Sequence, residues 1–171
     1  MDNGEIDLWS THLAVLVACV AKTQGPVLEL GCGHYSTRVL HALCGAQGRE
    51  LTTIDVNEPW VAQFAHLKAP WHRILLVPDI AIYLAAEVIE GKRWSVVFED
   101  SGRAQFRPDN IAAVRKAADL IIVNNTEPGR PVYQYERILP SFPHRWDYKR
   151  YPVWTNVVSD SPLPDRLEEL T

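Results

Sequence analysis

The sequence has no hydrophobic run long enough to cross a bilayer and no basic leader in front of one. Its longest uninterrupted apolar stretch, Leu13 to Ala21, is shorter than a transmembrane helix requires. The residues before it include Asp2, Glu5 and Asp7 instead of a positively charged segment, so we expect no signal peptide. The sequence therefore predicts a protein without a membrane partner.

Cysteine is scarce, and the three that occur are not arranged as a metal site or a disulfide framework. Cys19, Cys32 and Cys44 show no C-x-x-C spacing, and an odd number leaves at least one unpaired. Scattered cysteines of this kind are typical of reduced thiols in a cytoplasmic protein. We therefore expect a cytoplasmic localisation.

The sequence also lacks an excess of basic residues, internal repeats and low-complexity segments. Lys and Arg together number 17 against 21 Asp and Glu, which gives a formal net charge of -4. This charge argues against a protein whose main activity is to bind nucleic acid. With 171 residues, 47% of them hydrophobic, the chain suits one globular domain. We divide it into an N-terminal helical region (1–24), a core (25–160) and a loose tail (161–171).

What the sequence does contain is a regular alternation of short apolar strands with helical segments. The predicted strands are, in order, 27–30, 50–56, 73–77, 94–98 and 120–123. The predicted helices are 8–22, 36–43, 59–67, 79–89, 108–118 and 132–139. Repeated alternation indicates an α/β fold in which helices cover both faces of a mostly parallel sheet.

The last quarter of the chain departs from this alternation. Segments 145–151 and 153–159 have strand character and are separated by Pro152 alone. Strands joined so closely must be antiparallel, because parallel neighbours need a long crossover connection. The sequence thus predicts a seven-stranded, three-layer fold that ends in an antiparallel strand pair.

The segment Glu29-Leu30-Gly31-Cys32-Gly33 lies where the first predicted strand ends. Ligands of open parallel sheets bind beyond the carboxyl ends of the strands. Gly31 and Gly33 allow the backbone to turn sharply and to approach a ligand closely. Asp55 ends the second predicted strand, where an acidic side chain can accept hydrogen bonds from both hydroxyls of an adenosine ribose.

Charge and spacing distinguish between two nucleotide cofactors at this turn. A dinucleotide site requires G-x-G-x-x-G, but the third glycine position is Ser36. Glu29 brings negative charge close to the turn, which disfavours an anionic pyrophosphate and favours a ligand that carries an ammonium and a sulfonium. The turn therefore favours S-adenosylmethionine over a nicotinamide dinucleotide.

With these motifs the sequence resembles the class I S-adenosylmethionine-dependent methyltransferases. VLELGCGHYST resembles their first motif, LTTIDVN their second, WSVVFEDSG their strand-four segment and ADLIIVNNTEP their strand-five segment. The terminal strand pair resembles the reversed hairpin of this family. The resemblance covers roughly residues 25–160. It implies a Rossmann-like fold and an enzyme that transfers a methyl group from S-adenosylmethionine.

The resemblance also implies which residues contact the cofactor. Glu29, Gly31 and Gly33 would contact the methionine part, Asp55 the ribose, and Asp79 the region of the adenine. Asp79 could instead only cap the helix that follows it. The full predicted cofactor site lies at the ends of successive strands and comprises Glu29, Gly31, Cys32, Gly33, His34, Asp55, Val56, Asp79 and Asp100.

Three polar residues at the ends of the fourth and fifth strands are the predicted catalytic site. Asp100, Asn124 and Asn125 offer oxygen ligands that suit Mg²⁺, Ca²⁺ or Mn²⁺, with Mg²⁺ as the expected ion. Their layout resembles the metal site of catechol-type O-methyltransferases, although that family has an Asp-Asn pair in place of Asn-Asn. The lysine base of that family is replaced by Arg103, which stays protonated and is a poor base. The alternative is that these residues only hydrogen-bond the local loops or border the methyl acceptor.

The function expected from these observations is methyl transfer to a small-molecule acceptor. A non-catalytic S-adenosylmethionine-binding or regulatory protein is the alternative, because no base is evident. A nucleic acid or protein acceptor is less expected, because no (N/D)PP(Y/F) motif follows the fourth strand, where FEDSG stands. Little sequence lies beyond the core, so any lid over the substrate is short or comes from the second subunit of a homodimer.

Overall fold

The structure is a computed structural model that describes residues 10–170. The strands are β1 (Val27–Leu30), β2 (Leu51–Asp55), β3 (His72–Leu76), β4 (Trp94–Glu99), β5 (Ala118–Asn124), β6 (His144–Tyr148) and β7 (Thr155–Ser159). The α-helices are α1 (Leu13–Ala21), α2 (Ser36–Gln47), α3 (Glu58–Gln63), α4 (Ile80–Ile89) and α5 (Arg107–Val114). The predicted alternation is confirmed, although Leu8, where the first helix was expected to begin, lies outside the described residues.

All seven strands form one sheet in the order β3-β2-β1-β4-β5-β7-β6. The first five strands pair in parallel, whereas β7 runs antiparallel to both β5 and β6. The predicted mostly parallel sheet with a C-terminal antiparallel pair is therefore confirmed. The strand order reverses between β1 and β4, and the carboxyl ends of these two strands border the crevice where ligands of such sheets bind.

Helices on both faces give the sheet two hydrophobic cores. On one face Leu30 of β1 belongs to the same core as Leu84 of α4 and Ile111 of α5. On the other face Val27 belongs to the same core as Leu16 of α1. Because successive strand residues point to opposite faces, β1 is buried on both sides, which explains its nearly continuous apolar sequence.

The helix predicted over residues 132–139 is wrong. The segment forms three short 3-10 turns instead: Pro131–Tyr133, Tyr135–Arg137 and Leu139–Ser141. Gln134, between the first two turns, has a left-handed φ of 51°, which interrupts any right-handed helix. The turns orient Tyr135 into a buried polar network behind the candidate site, so tertiary contacts override the helical pattern here.

The C-terminal segment, expected to be loose, packs on the domain in the part that the structure describes. It carries a 3-10 turn at Leu167–Leu170 that contacts α1 and β6. Leu167 is buried in the same core as Leu16 and Val20. The apolar side chain of this turn therefore anchors the tail.

Two features of composition can be followed into the structure. Between residues 10 and 170, no helix combines the length and the apolar character needed to cross a membrane.

The three cysteines are free and buried. Burial raises the pKa of the Cys19 thiol to about 12 and that of Cys44 to about 11, so both behave as small apolar side chains.

Candidate active site

The glycine turn after β1 is packed directly against the loop that follows β4. Gly31 has a φ of +95°, and a Cβ at this position would lie 2.6 Å from the carbonyl oxygen of Asp100. A Cβ on Gly33 would lie 2.6 Å from Oγ of Ser36. The amide of Gly33 donates to Oγ1 of Thr37 at 2.8 Å, which fixes the turn to the first residues of α2. The backbone contact and the positive φ therefore require glycine at position 31, whereas at Gly33 the close atom is a Ser36 hydroxyl that can rotate away.

Asp55, at the end of β2, holds the glycine turn through its carboxylate. Its Oδ2 accepts a hydrogen bond from the amide of Cys32 at 3.0 Å. Its Oδ1 accepts from the amides of Val56 at 2.6 Å and Asn57 at 2.9 Å. The side chain is buried, so these backbone donors fix it in one orientation at the edge of the crevice. The structure brings Asp55 and the glycine turn together, as the sequence predicts.

Glu29 lies beneath the turn and is fully buried. Its Oε2 accepts a hydrogen bond from Oγ1 of Thr53 at 2.8 Å. Burial raises the pKa of Glu29 to about 7, while the hydroxyls of Ser36, Thr53 and Thr37 counter part of the rise. Burial therefore favours the neutral form of the carboxyl, and the negative charge of the site rests less on Glu29 than the sequence suggests.

A chain of buried polar groups continues from Glu29 across the sheet, and the sequence analysis did not identify it. Oγ1 of Thr53 lies 2.9 Å from Nε2 of His72 in β3, and Nδ1 of His72 lies 3.1 Å from Nδ1 of His41 in α2. Burial, together with His41, lowers the pKa of His72 to about 4. The polar chain therefore supports Glu29 from behind the crevice.

A cavity of about 560 Å³ lies beside the glycine turn. It is lined by His12, Cys32, Gly33, His34, Tyr35, Ser36, Trp60 and Asp100. Nε1 of Trp60 donates to the carbonyl of Cys32 at 2.6 Å. The His34 ring packs edge-on against Trp60 at 4.9 Å between centroids. Four of the predicted cofactor residues, Cys32, Gly33, His34 and Asp100, therefore share one partly aromatic cavity.

Two further predicted residues, Val56 and Asp79, line a neighbouring cavity of about 280 Å³. Asp79 is exposed, and its Oδ1 accepts from the amide of Ile82 at 2.9 Å, which caps α4. The capping role considered from the sequence is thus present. It leaves Asp79 on the wall of the cavity, beyond the end of β3.

Asp100, Asn124 and Asn125 are neighbours, as predicted, but a cation from the protein itself lies among them. Nη2 of Arg107 is 2.9 Å from Oδ1 of Asp100. Nη1 of Arg107 donates to the carbonyl of Asn124 and to Oδ1 of Asn125, each at 3.3 Å. Oδ2 of Asp100 accepts from Nδ2 of Asn124 at 3.2 Å. These contacts form what we call the Arg107 cluster.

The guanidinium of Arg107 is buried and multiply bonded. Its Nε donates to the carbonyl of Ser101 at 2.8 Å and lies 3.9 Å from Oε1 of Glu99. Its Nη1 donates to the hydroxyl of Tyr135 at 3.0 Å, and the guanidinium also stacks on the Tyr133 ring at 4.6 Å. Burial lowers the pKa of Arg107, but Tyr135 and the two carboxylates outweigh it, so the cation is permanent.

The predicted Mg²⁺ site does not fit this geometry. Both oxygens of Asp100 and the side-chain oxygen of Asn125 already accept hydrogen bonds, and Oδ1 of Asn124 accepts from Oγ1 of Thr155 at 3.3 Å. The reason is electrostatic: the guanidinium supplies the positive charge that a divalent ion would bring.

His12, directly before α1, is a cavity residue that the sequence analysis missed. Its side chain is 3% exposed, and its ring packs on Phe98 of β4 at 4.9 Å between centroids. The only signal in the sequence is a titratable residue at the start of an otherwise apolar helix. A lone His in such a position is usually a core residue, so this pattern does not identify a site.

The strand order places the glycine turn and Asp55, at the end of β2, side by side at one crevice. This is the fold of the class I S-adenosylmethionine-dependent methyltransferases. The structure matches the O-methyltransferase TomG from Streptomyces achromogenes, involved in tomaymycin synthesis and solved with S-adenosylmethionine. That match has a TM-score of 0.64 and 18% identity, and covers 93% of this chain and 83% of that one.

Two other methyltransferase-fold structures are similar to this chain. Human methyltransferase-like protein 13, solved with S-adenosylhomocysteine, matches with a TM-score of 0.65 and 11% identity over 91% of this chain and 84% of its own. An rRNA methylase from Streptococcus thermophilus matches with a TM-score of 0.59 and 10% identity over 85% of this chain and 94% of its own. No protein-family model and no curated protein sequence matches the chain. The TM-scores show that the fold is shared, and at identities this low the similarity does not identify the methyl acceptor.

Proposed function

We propose that this protein is an S-adenosylmethionine-dependent methyltransferase that acts on a small molecule. The observation that carries the proposal is the hydrogen bond from the amide of Cys32 to Asp55, beside a cavity of about 560 Å³. A volume of this size is within the range of ligand pockets in proteins, which is about 300 to 1,000 Å³. When bound, S-adenosylmethionine supplies an electrophilic methyl group on a sulfonium sulfur.

The residues around the crevice fit the cofactor in shape and in charge. Gly31 allows the turn to pack against the backbone of Asp100, which brings the ends of β1 and β4 together at the cavity. Asp55 and Asp100 border the turn with carboxylates, which complements a ligand that carries an ammonium and a sulfonium. In this proposal Cys32 and the turn hold the methionine part, with Glu29 buried beneath the turn, while Asp55 holds the ribose and Val56 with Asp79 the adenine.

A small acceptor is favoured by the walls of the cavity and by the charge of the chain. His34, Tyr35 and Trp60 provide flat aromatic surfaces next to the glycine turn, which suit a planar or apolar acceptor. The net charge of -4 opposes a long polyanionic acceptor. Similarity to both an O-methyltransferase and an rRNA methylase is compatible with either class, so the acceptor class rests on the cavity and the charge.

The proposed reaction requires no metal ion. Arg107 provides a fixed positive charge beside Asp100, and its hydrogen bonds orient the loops that follow β4 and β5. In-line positioning of donor and acceptor can supply roughly 7 to 11 kcal/mol of the acceleration. In this proposal the Arg107 cluster holds the loops after β4 and β5 in one position beside the cavity.

Titration calorimetry with S-adenosylmethionine and S-adenosylhomocysteine tests the cofactor. Wild type should bind both, and Asp55→Ala should weaken binding by about tenfold or more, a loss of about 1.4 kcal/mol. Asp119→Ala is the matched control, since that side chain is 61% exposed and lies near the start of β5, at the end of the strand away from the crevice. Wild type that binds neither ligand would contradict the proposal.

A non-catalytic cofactor-binding protein is the second candidate, favoured by the exposed Arg103 at the position where a lysine base was expected. Transfer of a labelled methyl group to a panel of phenols and hydroxy acids separates the two candidates. We expect labelled product at the same rate with and without EDTA. Tight cofactor binding with no product would favour the non-catalytic protein, and a rate abolished by EDTA would restore the metal hypothesis.

A further inference from the structure

We infer that Glu29 releases a proton when S-adenosylmethionine binds, and that this proton leaves the protein through Thr53, His72 and His41. The inference rests on the proposed methyltransferase function and adds to it a group that responds to the charge of the cofactor. It starts from a carboxyl that is fully buried beneath the glycine turn. Oε2 of Glu29 contacts the hydroxyl of Thr53, whereas Oε1 has no hydrogen-bond partner among residues 10–170.

Before a ligand binds, this carboxyl is more stable with its proton than without it, because a buried carboxylate with an unpaired oxygen is costly. Burial raises the pKa of Glu29 to about 7, nearby hydroxyls of α2 and β2 oppose the rise, and Asp100 after β4 adds to it. The thiols of Cys32 and Cys44 also interact with Glu29, and both stay protonated because burial raises their pKa values. None of these groups is a cation, so a positive charge that would ionise Glu29 has to come from a ligand.

Glu29 does not line the cavity, so it acts on a ligand through the field of its charge and not by contact. That field reaches the cavity wall. Glu29 adds to the rise that burial causes in the pKa of Cys32, and Asp100 in turn raises the pKa of Glu29; both Cys32 and Asp100 line the cavity. S-adenosylmethionine carries a net positive charge, whereas S-adenosylhomocysteine carries none. The bound cofactor therefore favours the ionised form of Glu29, and the product does not.

A continuous chain of hydrogen-bonding groups links the carboxyl to the surface of the protein. Oγ1 of Thr53 lies 2.8 Å from Oε2 of Glu29 and 2.9 Å from Nε2 of His72. Nδ1 of His72 lies 3.1 Å from Nδ1 of His41. His41 is half-buried, and its ring packs on Trp71, which is 37% exposed. A proton can therefore pass from the buried carboxyl to solvent without crossing the cavity.

The transfer balances when each group in the chain passes on one proton. In the neutral state Oε2–H of Glu29 donates to Thr53, and the Thr53 hydroxyl donates to Nε2 of His72. Nδ1–H of His72 then donates to Nδ1 of His41, whose own proton is on Nε2. On release each proton moves one group along, and the Nε2 proton of His41 passes to water. The products are a carboxylate, a neutral hydroxyl and two neutral imidazoles, and His72 has changed from the Nδ1–H to the Nε2–H tautomer.

The surroundings of His72 allow it to relay the proton without holding a charge. Burial and His41 lower the pKa of His72 to about 4, and the carbonyl of Leu67 opposes this effect. The ring is therefore neutral near pH 7 in both states of Glu29. Because methyl transfer turns the sulfonium into a neutral thioether, Glu29 takes a proton back over the same path. The site thereby loses the negative charge that favours the cofactor over its product.

Titration calorimetry at about pH 6.5, in buffers of different ionisation enthalpy, counts the protons released on binding. The amine of the ligand stays protonated there, since an α-amino group has a pKa of about 7.7 to 8.0. Wild type should release about half a proton with S-adenosylmethionine and close to none with S-adenosylhomocysteine. Glu29→Gln should release close to none with either ligand, because the amide has no proton to give.

Two further variants show whether the released proton belongs to Glu29. Glu50→Gln is the matched control, since that side chain is 70% exposed and precedes β2 at the end away from the crevice. His34→Gln removes the exposed imidazole that lines the cavity. Both variants should release as many protons as wild type when they bind S-adenosylmethionine.

The pH dependence of affinity gives the same information without a proton count. The preference of wild type for S-adenosylmethionine over S-adenosylhomocysteine should rise about fivefold from about pH 5.5 to about pH 7.5, as Glu29 becomes ionised. The preference of Glu29→Gln should change by less than about twofold over the same range. Equal pH dependence in the two proteins would show that Glu29 does not respond to the cofactor.

Nitrogen-15 NMR of wild type tests the path and keeps the inference testable if Glu29→Gln fails to fold. S-adenosylmethionine should move the ring proton of His72 from Nδ1 to Nε2, which exchanges the shifts of the two nitrogen atoms. S-adenosylhomocysteine should leave the His72 tautomer as it is in the free protein. His66, exposed on the turn Ala65–Leu67, is the internal reference and should not change with either ligand.

The remaining outcomes separate this inference from the proposed function. Wild type that binds S-adenosylmethionine but releases no more protons than Glu29→Gln would overturn the inference and leave the proposed function intact. Proton release with an unchanged His72 tautomer would overturn the path, and release that disappears in His34→Gln would assign the proton to His34 instead. Wild type that binds neither ligand would overturn the proposed function itself.

Discussion

The two halves of the crevice are held by different kinds of contact. At the ends of β1 and β2, Gly31 and Asp55 are fixed by backbone amides and by close backbone packing. At the ends of β4 and β5, Asp100 and Asn125 are fixed by the buried side chain of Arg107 from α5. The first half is held by backbone groups and the second by an ionic network around one buried side chain.

This difference suits the two halves of the crevice to different roles. The amides of the turn donate to Ile54, Asp55 and Thr37, so the turn is held in one shape beside the cavity, which suits a cofactor that must fit closely. A loop pair held by a buried guanidinium has its polar atoms already satisfied, which suits a rigid wall and excludes a divalent ion. If the comparison is correct, the two halves should respond differently to substitution.

The largest effect is expected at the centre of the Arg107 cluster. Arg107→Met removes the cation and leaves Glu99 and Asp100 without it, which should cost about 3 to 5 kcal/mol in the free energy of unfolding. The control Arg137→Met breaks an exposed ion pair with Asp109 and should cost at most about 1 kcal/mol. Urea denaturation of the three proteins measures both values, and equal losses would remove the proposed difference between the halves.

The next effect is expected at the glycine turn. Gly31→Ala places a methyl group against the backbone of Asp100 at a φ of +95°, which should destabilise the fold by roughly 2 to 4 kcal/mol. Gly48→Ala is the control: its φ is +63°, and no atom lies within 4 Å of the added Cβ. That change should cost about 1 kcal/mol, from backbone conformation alone. Similar losses at both positions would mean that the close approach at Gly31 does not matter.

The smallest effect is expected beneath the turn and depends on pH. Because the pKa of Glu29 is raised from 4.5 to about 7 in the folded state, the folded protein binds this proton more tightly than the unfolded chain. Its contribution is therefore favourable at low pH and is lost as pH rises from 4.5 through about 7. Glu29→Gln removes the dependence, so the variant should gain roughly 2 to 3 kcal/mol relative to wild type across this range.

His72 provides the internal check on that measurement. Its pKa is lowered to about 4 by burial, so stability from His72 is lost as pH falls below 6.5 toward 4, in wild type and variant alike. Subtracting the two unfolding curves removes this contribution except for the coupling through Thr53, which lies between His72 and Glu29. A difference between Glu29→Gln and wild type that stays constant with pH would show that the Glu29 carboxyl is not perturbed.

The sequence predicted the fold and the first half of the crevice better than the second. The alternation of elements and the terminal strand pair follow from local patterns, and Asp55 is placed by its position at the end of β2. The helix over 132–139 failed because Gln134 takes a left-handed conformation and Tyr135 serves a distant network. The metal hypothesis is not supported, because Arg107 already lies among the predicted oxygen ligands.

The sequence by itself determined the α/β architecture, the glycine turn and its acidic neighbour, since each depends on residues close together in the chain or on the period of a strand. Only the tertiary structure decided what stands around Asp100. Arg107 arrives from α5, and a single Arg carries no pattern that marks its destination. Its importance follows from burial, because a guanidinium surrounded by carboxylates and carbonyls orients the loops only once the chain has folded around it.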